Sequence, residues 1–130
     1  MRRLPLLVSA VVLLFSVAAF CTDDNVPEPT QKPDAIYRLY RTLNIYTFLK
    51  LDTRTGLVWQ LEWGTEDAYR WVSPINLKPL TATPKAGRFT LYPTSNIYNF
   101  VLLDQEDGRA WQIQWGKDKD RVIVPIAGDN

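Results

Sequence analysis

The residues able to do chemistry in this chain are carboxylates and aromatics, because its 130 residues include no histidine and a single cysteine, Cys21. A Ser-His-Asp triad, a Cys-His pair and an imidazole-bound zinc site each need a side chain that is absent. The six glycines, Gly56, Gly64, Gly87, Gly108, Gly116 and Gly128, are too widely separated for a phosphate-cradling loop. The residue types therefore point to no metal and no cofactor. Carboxylate chemistry of the glycosidase kind survives, since it needs only two acids across a cleft. Asp52 and Asp104 recur at matched places, yet each opens a turn, where an Asp side chain accepts backbone N–H bonds. Glu62 has Gln114 as its counterpart, and Glu66, Asp67, Asp118 and Asp120 fall in polar segments suited to solvated loops. No catalytic residue is assigned. The expectation is a protein that is not an enzyme, with a carboxylate-only carbohydrate-active enzyme as the alternative.

The distinctive residues are Trp59 and Trp63, matched by Trp111 and Trp115. With the two-residue period of a strand, Leu57, Trp59, Leu61 and Trp63 share one face, and Val58, Gln60 and Glu62 the other. Such pairs can stack on sugar rings, or they can fill the core of a small protein that lacks a disulfide. Gln60 and Gln112 recur on the opposite face and can meet a ligand edge or bond to a neighbouring strand or loop. The four tryptophans and two glutamines are the candidate binding residues.

These residues sit in a duplication. Tyr37 to Gly64 aligns with Phe89 to Gly116 at an offset of 52 residues, and half of the aligned positions are identical. With one residue deleted, Arg70, Pro74 and Ile75 fall on Arg121, Pro125 and Ile126. Repeat 1 spans 37–76 and repeat 2 spans 88–127. Each reads as four short strands, with Tyr37 to Arg41, Ile45 to Leu51, Leu57 to Trp63 and Tyr69 to Ser73 in the first copy. Tyr46 and Phe48 lie on one face of the second strand and Ile45, Leu49 and Leu51 on the other, so that strand is central or has one face covered by a partner. Pro74, Pro79 and Pro84 make the connector irregular. Helical periodicity is absent. The expected fold is all-β, a single domain over 36–130 in which the two four-stranded repeats pack as a pseudo-symmetric sandwich or small barrel. The hairpin of Leu51, Asp52, Thr55-Gly56 and Trp59, with Asp107 in the Thr position of the second copy, resembles the blade hairpin of PQQ-type β-propellers. A propeller needs about four blades or more, so two copies cannot close one alone.

Ahead of the repeats, Arg2 and Arg3 precede an uncharged run from Leu4 to Phe20, which reads as an export signal over 1–20. The run Val17 to Cys21 resembles the lipobox of bacterial lipoproteins, with Phe20 before the cysteine. That resemblance implies lipid attachment at Cys21 and residence in the bacterial cell envelope, as an outer membrane lipoprotein facing the periplasm or the surface. Cleavage after Ala18 or Ala19, or retention of the run as an anchor, are the alternatives. Thr22-Asp23-Asp24-Asn25 resembles the acidic stretch of some surface-exposed lipoproteins. Residues 21–35, with Pro27, Pro29 and Pro33, read as a flexible tether.

Without Arg2 and Arg3 the chain carries 13 basic and 14 acidic residues, a net charge of −1. A near-neutral chain with no basic run argues against nucleic acid and against membrane contact other than through the lipid. The expected function is that of an exported module binding a protein or a glycan, or of a subunit that oligomerises to complete a propeller or sheet.

Overall fold

The computed structural model describes residues 27–128. The expected export signal over 1–20 and the expected lipid attachment at Cys21 lie outside the described residues. The architecture is all-β, two antiparallel four-stranded sheets joined by the proline-rich connector, with no closed barrel among the described residues. The first sheet contains β1 (Tyr37–Arg41), β2 (Thr47–Asp52), β3 (Val58–Glu62) and β4 (Trp71–Pro74), neighbours in chain order. The second repeats this meander with β5 (Phe89–Pro93), β6 (Asn99–Asp104), β7 (Ala110–Gln114) and β8 (Val122–Ile126). Single 3-10 turns, Asp67–Tyr69 and Asp118–Asp120, precede the last strand of each sheet.

Register is conserved between copies. Phe48 pairs with Leu61 as Phe100 pairs with Ile113, and Lys50 pairs with Trp59 as Leu102 pairs with Trp111. Gly56 and Gly108 close the central hairpins with positive φ of 77° and 79°, a region costly for residues with a Cβ. β2 and β6 begin two residues later than their apolar runs suggest. The Asn44 and Asn96 side-chain oxygens accept the backbone N–H of Tyr46 and Tyr98, which holds residues 44–46 and 96–98 in turns. Pro74 ends β4 on a sheet edge, where a missing N–H does no harm.

The two sheets pack through unlike faces. Let the front of each sheet be the face carrying Trp59 or its counterpart Trp111. Leu49, Leu51, Val58 and Ile75, on the back of the first sheet, form one buried cluster with Phe89, Leu91, Phe100, Leu102, Trp111 and Ile113, on the front of the second. Fixed polar contacts reinforce this seam. The Gly116 N–H donates to Oε1 of Gln60 at 2.9 Å, and the Tyr40 and Thr90 hydroxyls lie 3.2 Å apart. The second copy therefore follows the first front to back.

A polar clasp ties the sheets at the hairpin tip. Thr53 is fully buried; its hydroxyl donates to the Ala35 carbonyl and accepts from the Gly87 N–H, while its own carbonyl accepts from the Phe89 N–H. Asn76 is buried as well, its oxygen accepting the Val58 N–H and its amide donating to the Gly56 carbonyl. Residues 28–35 lie along the first sheet: Gln31 donates to the Leu39 carbonyl, Arg38 donates to the carbonyls of Lys32 and Pro33, and Glu28 pairs with Arg41.

Candidate functional site

Front-to-back packing covers one face of each sheet and leaves the other open. On the second sheet the front is largely buried; on the first sheet the equivalent front is open among the described residues. The contrast is sharpest at the tryptophans. Trp63 and Trp115 are built alike: the indole N–H of Trp63 donates to the Ile45 carbonyl at 2.7 Å, and that of Trp115 to the Ile97 carbonyl at 2.9 Å. Each ring tilts against a tyrosine, Tyr46 at 5.5 Å and Tyr98 at 5.0 Å between centroids. Yet Trp63 is 45% exposed and Trp115 only 4%. The sequence gives the two indoles the same local seat, and the neighbouring sheet decides which is covered.

Trp59 and Trp111 differ in the same sense. Trp111 is buried against Phe89, with the Arg109 guanidinium 5.2 Å from its ring. Trp59 is half-buried, and the Lys50 ammonium lies 4.7 Å from its ring centre. Tyr37, Leu39 and Val72 extend the open front as exposed apolar side chains, with Phe48 and Leu61 half-buried between them. Together these side chains form an exposed, largely apolar patch on one sheet face. The sequence brings all four tryptophans to the front faces, but only Trp59 and Trp63 belong to the open one.

The glutamines divide in the same way. Gln60 is buried in the seam, where its amide donates to Oε1 of Glu62 at 2.8 Å and its oxygen accepts from Gly116. Gln112 is exposed on the back of the second sheet and donates to Oδ1 of Asn99 at 2.7 Å. That back face also carries Tyr92, Val124 and Ile126 exposed to solvent.

Asp52, Asp104 and Glu62 are engaged in structure. Asp52 accepts from the backbone and the guanidinium of Arg54. Burial works to raise its pKa, but the Arg54 hydrogen bonds and charge outweigh it, and the net shift is downward. Asp104 is fully buried beside the buried Arg88, which donates to it from Nε at 3.0 Å and from its terminal nitrogen at 2.8 Å. Burial again works upward; the Arg88 hydrogen bonds, the backbone N–H groups of Glu106 and Asp107 and the Arg88 charge prevail and hold the carboxyl down to about 2. An acid so held is an acceptor at neutral pH and offers no proton for transfer. Thr47 and Gln60 donate to the same oxygen of Glu62. No group of three or more metal-ligating side chains occurs among the described residues.

Two clefts open where the turns cluster. One, of about 860 Å³, is lined by Arg41, Ile45, Phe48, Trp63, Ile97 and Phe100 among others. The second, of about 840 Å³, contains Gln60, Glu62, Trp71, Trp115 and Arg121. Trp71 is 40% exposed, with the Arg121 guanidinium 5.7 Å from its ring; it has Val122 as counterpart and is absent from the repeated tryptophan pattern. No helix among the described residues is long and apolar enough to cross a membrane. Comparison of the chain with family models, with curated proteins and with solved structures finds no match.

Proposed function

We propose that the chain is an exported, lipid-anchored, non-enzymatic β module of the bacterial cell envelope that docks a protein partner on the open front of its first sheet. One observation carries this reading: a face largely buried in the second repeat is left open in the first, with the same aromatic plan. Burying such apolar surface is favourable at roughly 25 cal/mol per Å² and supplies the driving force for association. A protein suits this face better than a glycan. The Trp63 indole N–H is already bonded to Ile45, its ring is tilted against Tyr46, and the Lys50 ammonium stands beside the Trp59 ring. Each indole is already engaged on one side, by Tyr46 or by Lys50, which leaves less free ring face for a sugar. The lipobox-like run ending at Cys21 supports the anchor and the envelope address.

A photo-crosslinking residue placed at Leu61 of the full chain, in its own cells, tests the docking surface. A protein adduct is expected from Leu61 and none from the same residue at Thr83, exposed in the connector. Absence of an adduct at Leu61 overturns the reading. For the anchor, palmitate incorporation into the wild type but not into Cys21→Ala is expected; equal incorporation or none ends it.

A further inference from the structure

We propose that the partner on this face is a second copy of the chain, seated head to tail by the back of its second sheet. The inference rests on the docking reading above and names its occupant. The seam inside the chain already shows how such sheets mate, because the back of one meets the front of the next. Among the described residues, the same two faces recur without a partner at the two ends of the molecule. Leu39 is exposed where its counterpart Leu91 is buried, and Gln112 is exposed where its counterpart Gln60 is buried.

The faces match in detail as well as in type. In the seam the Gln60 oxygen accepts the Gly116 N–H at 2.9 Å. Gln112 and Gly64 are the repeated counterparts of these two residues, on opposite outer faces. Stacking one chain on the next brings Gln112 of one copy to Gly64 of another and renews the bond. Both open faces are apolar because both are built for contact, which also explains why β2 and β6 carry apolar residues on both sides. Lys50, standing where the second repeat has Leu102, and Arg41, standing where it has Pro93, are the poor fits; the Lys50 stem can lie along Trp59 with the ammonium at the rim.

Head-to-tail contacts between unlike surfaces propagate until the rotation closes a ring. Sheets packed around an axis in this way close at about four to eight, which corresponds to two to four copies here.

Native mass spectrometry of the full chain, stripped of detergent in the instrument, reads the stoichiometry. Wild type is expected as one assembly of two or more copies. Leu39→Arg spoils only the front and Gln112→Arg only the back, and both positions are exposed, so the fold tolerates the change. Each variant alone is expected as a monomer, and an equal mixture as a dimer and nothing larger, because one good front then meets one good back. A front-to-front or back-to-back dimer cannot give that pattern, since one variant would retain it. A monomeric wild type, or either variant keeping the wild-type assembly, overturns the inference. A monomeric wild type that still gives a protein adduct at Leu61 overturns this inference and leaves the docking surface standing. A monomer with no adduct overturns both.

Discussion

Asp52 and Asp104 occupy the same turn position, but their cations come from different places. Arg54 stands two residues along in the turn itself, whereas Arg88 comes from the connector and is buried. The turn role of the aspartates is legible because the Asp-to-Gly hairpin repeats. Arg88 is not legible, since its counterpart is Ile36 and no repeat signal marks it. Thr53 and Asn76 escape for the same reason: their burial depends on the neighbouring sheet or on a chain reversal that spacing does not encode. Removing one partner of a buried ion pair leaves an uncompensated charge, so Arg88→Ala is expected to cost about 3–5 kcal/mol by urea unfolding. Arg54→Ala, beside the half-exposed side of its pair, is expected to cost about 1 kcal/mol or less. The Asp104 carboxyl titrates near 2 in the fold, against about 3.9 in an unfolded chain. A depressed folded value gives stability that is full above about pH 4 and lost as pH falls toward 2. Acid unfolding of Asp104→Asn, followed by tryptophan fluorescence, is expected to be flatter than wild type over that window.

At the scale of elements, the eight strands are legible because alternation and turn residues agree. The starts of β2 and β6 are set instead by asparagine turns that override the apolar run. The hairpin glycines look equivalent in sequence, with near-identical φ, yet their surroundings differ. A Cβ at Gly56 would come within 2.9 Å of Leu80 and 3.1 Å of Phe89, while at Gly108 it meets nothing within 4 Å. Both alanine variants bear the positive-φ strain, about 1 kcal/mol; Gly56→Ala adds a clash and is expected to be the more destabilising by a further 1–3 kcal/mol or so. The tryptophans divide by sheet. Measured in the Leu39→Arg background to keep copies apart, Trp111→Ala is expected to cost about 3–5 kcal/mol. Trp63→Ala, on the open face, is expected to cost roughly 1 kcal/mol or less.

For the whole molecule, the front-to-back order of the sheets decides what is left to function. The all-β class and the pairing of two four-stranded repeats follow from the duplication. Which tryptophan pair is covered does not, because both copies carry the same aromatic plan on the same face and only the packing breaks the equivalence. Two charges distinguish the open front from its buried counterpart, Lys50 for Leu102 and Arg41 for Pro93. Lys50→Leu, which restores the residue of the sealed copy, is expected to tighten the assembly and lower its dissociation concentration by tenfold or more, about 1.4 kcal/mol. The central claim is that one seam geometry serves inside the chain and between chains. A photo-crosslinking residue at Gln112 of the full chain, with the attached peptide sequenced, tests it most directly. The account predicts attachment to the segment around Gly64 of another copy, mirroring the bond between Gln60 and Gly116. Attachment elsewhere, to another protein, or to nothing would contradict it.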